Sequence, residues 1–573
     1  MSAHEVPSWY EAGLPVRERK RRGHFSTPPE LVELILDACG YTPEHDLSAL
    51  RVLDPACGSG NFLAASARRL LLFGQQYHLP PAETIAVLQD NLWGLDPDPV
   101  ACFLAEMQMR TMLTDRFPES TVPGLHIHQG DGLVLPWHEG QGIDLFLANP
   151  PYLAAKNTDL SGYHLARQRG QADSYLLFVS LALQVVRPDG WLALVLPDPV
   201  LARANATQER QRLLSETTIH HLWHLAGVFS AHVGAVVIIA QKRAPTSVHQ
   251  IPWIRDHWWQ LQKKIAVQRE SLPNVSLEAQ LFARATIIEP VKKVALGLLL
   301  NQPQKELCYL LGDVRNPLIQ HLHAHFCDRT QKTLVPLGDL VLIRRGEELS
   351  KDASLLLERR PDDEVQSWHP VLRGGSDVRP YVMPEANGWL AREHIRKPLE
   401  RYRLPKLLVV KSTRQLQATL DLQGYVVLQT LYLLYPRIYS SRQLKTDGEV
   451  LIAEETLDEL YFLLALLNSR LLREYVYVLH TAYKWVQPQI EQHVLAYLPV
   501  PAVEPVARAE IVERAKQLYA CSALDPVVEL KKQLDVLYEE QEQAICALYA
   551  TALPASYATS LLVANLTKES RDV

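Results

Sequence analysis

Between Leu50 and Lys242, short apolar runs alternate with longer amphipathic segments, and that alternation sets the expected architecture. A compact apolar run bounded by turn residues reads as a buried strand, whereas apolar positions recurring every three or four residues read as a helix. By this pattern strands are expected at Arg51–Leu53, Leu92–Leu95, Leu125–His128, Ile143–Ala148, Trp191–Leu196, Ile219–Leu225 and Gly234–Gln241. Helices are expected at Pro29–Ala38, Phe62–Leu72, Pro99–Leu113 and Ser174–Val186. Strands interleaved with helices in this way indicate an α/β fold, a parallel sheet wrapped by helices.

Beyond Lys242 the pattern changes. Residues 246–330 are mixed, with a Trp-rich stretch (Trp253, Trp258, Trp259), and read as a connector or helical subdomain. A second strand-rich region opens at Val335 and closes at Tyr497-Leu498-Pro499-Val500-Pro501; within it, Leu460–Tyr477 has helical spacing. From Ala507 to Ala552 the Glu-, Lys- and Leu-rich sequence reads as a helical pair. The expected division is therefore 1–245, 246–330, 331–505 and 506–573, consistent with a length of 573 residues, too long for one ordinary core.

Composition narrows the class. An apolar fraction of 47% and a charged fraction of 21% are those of a globular protein, and no run of apolar residues is long enough to span a bilayer. The basic, polar N-terminus (Arg17-Glu18-Arg19-Lys20-Arg21-Arg22) lacks the apolar stretch of a signal peptide, so a cytoplasmic location is expected, without membrane association. Seven scattered cysteines without a C-x-x-C pair fit reduced thiols. His321, His323, His325 and Cys327 would share one face on a strand, but no second ligand cluster accompanies them, and no metal site is assigned. Net charge is −6, yet Arg396, Lys397, Arg401, Arg403 and Lys406 stand close together. Such a cluster can hold phosphates, or be a solvated helical face.

Candidate chemistry lies where the expected strands end. Asp54-Pro55-Ala56-Cys57-Gly58-Ser59-Gly60-Asn61 follows the first strand and opens a helix, without the lysine of a phosphate-binding loop or the third glycine of a dinucleotide fingerprint. The second strand ends at Asp96, suited to ribose hydroxyls, and the third is followed by Asp131, suited to an exocyclic amine. Each carboxylate alone could equally cap a helix. Asn149-Pro150-Pro151-Tyr152 ends the fourth strand, and the prolines forbid its continuation. These four residues fit a tight turn; they also place an amide oxygen, a free carbonyl and an aromatic ring together, suited to a planar amine such as adenine.

This order of motifs resembles the gamma-class N6-adenine DNA methyltransferases, the TaqI-like group, over most of the chain. The resemblance implies a class I S-adenosylmethionine-dependent methyltransferase domain followed by an α+β target-recognition domain and C-terminal helices. Gly23-His24-Phe25-Ser26-Thr27-Pro28-Pro29 is similar to the family's segment over the cofactor, so Phe25, Thr27 and Pro28 are implied contacts. Asp54, Ala56, Gly58, Gly60 and Asn61 match the cofactor loop, Asp96 the ribose acid and Asp131 the adenine-contacting acid. Gly132 departs from the aromatic or apolar residue common after that acid, so adenine packing is expected from elsewhere, such as Pro150 or Leu133. Phe229, before Val233-Gly234, resembles the ring that stacks on a flipped base opposite Tyr152, although a core residue is the blander reading.

Later motifs (Leu337-Gly338-Asp339-Leu340, Gly374–Tyr381, Leu404-Pro405-Lys406-Leu407, Leu466-Leu467-Asn468-Ser469) resemble DNA-specificity regions. The resemblance implies methyl transfer to adenine N6 in double-stranded DNA by base flipping, with Asn149, Pro150, Pro151, Tyr152 and Phe229 catalytic and the basic cluster on phosphates. A nucleoid-associated cytoplasmic protein in a restriction-modification or phage-defence setting is expected. No nuclease or helicase motif is evident and little sequence precedes Gly23, so any cleavage is expected from partner subunits. The alternatives are a DNA-binding modification subunit of a larger defence complex and, against the large C-terminal region, a protein-glutamine methyltransferase.

Overall fold

The computed structural model describes residues 25–134, 142–153, 160, 162–163, 173–229, 234–270, 292–313, 317–328, 330, 332–349, 355–361, 367–437, 454–485, 488–521 and 528–554. Gly23, His24 and Val233 of the motifs above, and the basic run Arg17–Arg22, lie outside the described residues. The chain divides into two compact units, Met1–Asp313 and Val314–Val573.

In the first unit the expected strands form one sheet: β1 (Val52–Asp54), β2 (Leu92–Asp96), β3 (His126–Gln129), β4 (Ile143–Ala148), β5 (Val186–Pro197), β6 (Thr218–Ala226) and β7 (Ala235–Gln241). Their order is β3-β2-β1-β4-β5-β7-β6; β7 runs antiparallel to both neighbours, while β1 pairs in parallel with β2 and β4. β4 is buried along its whole length, as expected of a central parallel strand covered on both faces, which is why its sequence is a continuous apolar run. Helices α1 (Pro29–Ala38), α2 (Asn61–Gln76), α3 (Pro81–Asn91), α4 (Pro99–Arg116), α5 (Ser174–Val185) and α6 (Thr207–Glu216) connect the strands. Leu31 and Ile35 of α1 and Phe62, Leu63 and Leu70 of α2 share one core with Val52, Leu145, Val195 and Val237. Arg69 in α2 is fully buried and joins α1 through Glu33 (2.7 Å) and Asp37 (2.8 Å).

The sheet does not end at residue 245. β8 (Gln250–His257) pairs in parallel with β6, and β9 (Lys292–Ala295) pairs antiparallel with β8, giving nine strands. The expected connector over 246–330 is therefore replaced: α7 (Trp258–Glu270) and both strands belong to the first unit, and the division falls after Asp313. Of the Trp-rich stretch, Trp253 and Trp258 are buried in that extension and Trp259 is exposed.

The second unit begins with α8 (Pro317–Cys327). The alternating histidines lie on this helix, where residues two apart point in different directions. His323 is buried and bonded to the Tyr475 hydroxyl at 2.7 Å, and His325 meets Thr333. Strand β10 (Leu334–Pro336) is followed by β11 (Val341–Arg345), β12 (Trp368–Leu372), β13 (Gly388–Ala391), β14 (Lys406–Val410), β15 (Ala418–Asp421), β16 (Val426–Val427) and β17 (Leu431–Pro436). Strands β11 to β17 form a four-stranded sheet, β11-β17-β14-β15, and a three-stranded sheet, β13-β12-β16. Val371, Leu390, Leu408, Val410, Leu431 and Leu433 make their common core.

The expected single helix over 460–477 is two, α9 (Glu454–Asn468) and α10 (Arg470–Leu479), because Ser469 caps the second and accepts from the Leu472 N–H at 3.2 Å. β18 (Pro499–Pro501) pairs antiparallel with β10, closing the strand-rich region on its own start. α11 (Pro505–Cys521) and α12 (Val528–Ala552) are the C-terminal pair.

Candidate active site

The order of the central sheet reverses between β1 and β4, and in open α/β sheets ligands bind at the carboxyl ends of strands beside such a point. A cavity of about 780 Å³ lies there. Its walls include Phe25, Ser26, Thr27, Asp54, Ala56, Gly58, Asn61, Asp96, Asp131 and Asn149. Nearly all the residues expected to hold a cofactor thus meet in one place, from five separate stretches of sequence.

The loop after β1 turns sharply into α2. Gly60 caps that helix at φ 91°, a left-handed conformation disfavoured by side chains, and a Cβ there would lie 2.6 Å from the Cβ of Ala105 in α4. It therefore packs against α4 and does not line the cavity. Asp54 is buried, with one carboxylate oxygen accepting from the Ala56 N–H at 3.2 Å. Burial first, and then the nearby Asp96 carboxylate, push its pKa up to about 8. Asp96 is held by two backbone donors, Gly58 at 3.0 Å and Asp98 at 2.9 Å, so it pins the glycine loop to the end of β2. Asp131 accepts from the Leu133 N–H at 2.9 Å and from the Tyr163 hydroxyl.

Two asparagines tie the segment before α1 to this cavity. The Asn61 amide donates to the Thr27 carbonyl at 2.8 Å and to the Ser26 hydroxyl at 2.9 Å. The Asn149 amide donates to the Phe25 carbonyl at 2.5 Å. Because the NH2 end of Asn149 is committed to a carbonyl, its oxygen end is defined: Oδ1 is the acceptor, here approached by the Tyr152 hydroxyl at 3.2 Å. Tyr152 lies equally close to the Val195 carbonyl, also 3.2 Å. Pro28 fills the capping position of α1, where its fixed φ of −54° suits helix entry, and is absent from the cavity wall. Pro150 is buried and Pro151 lines the cavity, its carbonyl accepting from Ser174 Oγ, which also receives the Leu153 N–H at 2.9 Å. This serine at the start of α5 shapes the turn after the two prolines.

Phe25, Tyr152 and Phe229 form one aromatic cluster. Phe25 contacts Tyr152 at 6.4 Å and Phe229 at 5.9 Å between ring centroids. Tyr152 and Phe229 are 6.3 Å apart but nearly perpendicular, at 76°. The structure thus brings together the two rings expected to hold a base, but packed edge to face, with no parallel slot between them. Edge-to-face packing buries apolar faces that would otherwise meet water.

Four lining residues carried no recognisable sequence signal: Leu160, Tyr163, Ser174 and Phe178. Leu160 and Tyr163 come from a polar stretch without periodicity. Phe178 is hidden within an unbroken apolar helix. Among the described residues, no group of three or more His, Cys, Asp or Glu side chains is placed to hold a metal ion. Nor is any described helix long and apolar enough to cross a membrane.

In the second unit the expected basic cluster separates into three kinds of residue. Arg396 and Arg403 are exposed. Lys397 and Arg401 are half-buried and donate to the carbonyls of Arg345 and Gly346. Lys406 is a correction: it is fully buried, paired with Asp421 at 2.6 Å and bonded to the Tyr402 carbonyl at 2.5 Å, so it cannot reach a phosphate. Its place at the start of β14 turns it inward. Beneath the loop, buried Glu347 accepts from the N–H groups of Arg396 (3.3 Å) and Lys397 (3.1 Å) and from the Tyr402 hydroxyl (2.8 Å). Arg344 and Arg345, outside the expected basic cluster, are exposed at the end of β11, where the apolar run Val341-Leu342-Ile343 stops.

Residues 10–278 match the N-6 DNA Methylase family. The Type II methyltransferase M.VspI from Vibrio sp. (strain 343) is 25% identical over 213 residues, 37% of this chain and 45% of that protein. The Type II methyltransferase M.BstVI from Geobacillus stearothermophilus is 28% identical over 194 residues, 31% of this chain and 34% of that protein. The matched part of the chain spans less than half the length of either relative. In structure, the chain is similar to the Type IIL restriction-modification enzyme MmeI, solved in complex with DNA, with a TM-score of 0.59 at 13% identity, covering 98% of this chain and 81% of that one. That likeness is one of fold. Residues 10–278 are therefore similar to the N-6 DNA methylases, on an α/β sheet whose order reverses between β1 and β4.

Proposed function

We propose that the chain methylates adenine at N6 in double-stranded DNA, using S-adenosylmethionine, with the first unit carrying the chemistry and the second contacting DNA. The observation that carries this reading is the commitment of the Asn149 amide. Its NH2 end is bonded to the Phe25 carbonyl, which leaves Oδ1 as an acceptor beside a cavity lined by three acidic strand ends.

The residues present fit the cofactor. Asp96 would meet ribose hydroxyls and Asp131 an exocyclic amine, and the buried Asp54 carboxyl would be drawn into its charged form by a cationic ligand. When bound there, S-adenosylmethionine supplies a methyl group on a positively charged sulfur.

Adenine N6 is a poor nucleophile because its lone pair is delocalised into the ring. Asn149 Oδ1 and the Pro150 carbonyl would accept hydrogen bonds from its two N–H groups, favouring a pyramidal nitrogen whose lone pair attacks the methyl carbon; the C–S electron pair would leave with sulfur, and one N6 proton would pass to water. This is positioning and electrostatic preorganisation, with no covalent enzyme intermediate. Within a duplex N6 is paired, so the base must leave the stack at a cost of about a few kcal/mol. Tyr152 and Phe229 would receive it, each ring face worth about 1–3 kcal/mol. Because these rings now meet at 76°, accepting a base requires one of them to rotate. In the second unit, Arg396 and Arg403 would hold phosphates on a loop supported by Glu347.

Sequencing for N6-methyladenine in DNA from cells expressing the protein tests the reading. Methylation at adenine in one sequence context is expected. DNA without it, alongside methylated protein, would replace this reading by methylation of a protein amide.

A further inference from the structure

Position 132 is closed to any side chain. A Cβ on Gly132 would lie 2.1 Å from the Pro55 carbonyl oxygen and 2.7 Å from the Pro55 Cβ, both rigidly placed in the loop after β1. The residue next to Asp131 therefore offers the cavity only its backbone. A flat heteroaromatic ring held at Asp131 still needs an apolar face to lie on. Among the described residues, Phe25, Phe62, Phe178 and Tyr163 are the aromatic side chains that line the cavity, and the Tyr163 hydroxyl is bonded directly to Asp131 Oδ2. The Tyr163 N–H bonds the Leu160 carbonyl at 3.2 Å, and both residues line the cavity.

We propose that Tyr163 is the specificity residue for the purine end of the cofactor. Its ring supplies the face that position 132 cannot, and its hydroxyl holds the carboxylate that reads the exocyclic amine. The inference rests on the cofactor reading of the cavity. It makes Tyr163 a binding residue with no part in the transfer step.

The test uses the full chain as wild type, Tyr163→Phe and Tyr163→Ala. The probes are S-adenosylmethionine, 5′-methylthioadenosine, which carries only the nucleoside end, and 5′-methylthioinosine, which replaces the amine by a carbonyl. Calorimetric titration should show Tyr163→Ala weakening 5′-methylthioadenosine about tenfold or more, the scale of one ring–base contact. KM for S-adenosylmethionine should rise in parallel, with kcat at saturating cofactor unchanged. Tyr163→Phe should keep most of the affinity but discriminate less against 5′-methylthioinosine. Unchanged affinity in Tyr163→Ala overturns the proposal, as does a loss of kcat without a change in KM. Failure of the wild type to bind either adenosine ligand overturns the cofactor reading, and the proposal with it.

Discussion

Cofactor affinity measured from pH 6 to 9 reports directly on Asp54. This carboxyl is buried at the end of β1, and its pKa is pushed from 3.8 to about 8, first by burial and then by the neighbouring Asp96 carboxylate; the Ala56 N–H opposes the shift. With that value, about nine in ten empty molecules hold Asp54 protonated at pH 7. A cationic ligand placed beside it favours the charged form. Binding must therefore expel close to one proton at pH 7, and affinity should fall by up to tenfold for each pH unit below about 8. The cofactor's own ammonium titrates near the upper end of this range, so Asp54→Asn is the reference. Calorimetry in two buffers of different ionisation heat counts the protons released. Identical pH profiles for wild type and Asp54→Asn would refute the reasoning.

The sign for stability is opposite. A folded-state pKa raised from 3.8 to about 8 stabilises fully below 3.8, and that contribution is lost as pH rises through about 8. The empty domain should melt at lower temperature across this window, and bound cofactor should restore it.

Three further outcomes are expected. Lys406→Met leaves Asp421 buried with the N–H groups of Gln423, Gly424 and Tyr425 but no counter-charge, and should destabilise the second unit by about 3–5 kcal/mol. Urea unfolding measures this, and an unchanged midpoint would contradict the buried pair. Removing Arg396 and Arg403 together should weaken DNA binding on all sequences alike and reduce the salt slope by about one per lost phosphate contact. An unchanged slope takes these arginines out of the interface. Gly132→Ala forces a Cβ to 2.1 Å from the Pro55 carbonyl; cofactor affinity should drop while far-ultraviolet circular dichroism stays native, and wild-type affinity would mean that the loop after β1 yields freely.

The central sheet was legible because burial on both faces leaves a continuous apolar run, as in Ile143–Ala148, found as expected to the residue. The acidic strand ends were legible because chain order places them on one edge of a parallel sheet. Position along the chain could not reveal which charged side chain turns inward. Lys406 sits among exposed arginines in sequence, and only its pairing with Asp421, fifteen residues on, shows its burial. The break at Ser469 was hidden because helical spacing runs through it on both sides. Extension of the sheet by β8 and β9 depends on pairing between distant segments, which local pattern does not encode. Tyr163 was invisible for the same reason: its bond to Asp131 spans thirty-two residues of sequence.

Single-turnover methyl transfer from radiolabelled S-adenosylmethionine to DNA, compared between wild type and Asn149→Ala, bears most directly on the account. Asn61 still holds Ser26 and Thr27 in that variant, so cofactor affinity should survive. Loss of the preorganised acceptor should slow transfer by at least about 10²–10³-fold. Transfer at the wild-type rate with cofactor bound would contradict the role of Asn149, and with it the proposed chemistry of the site.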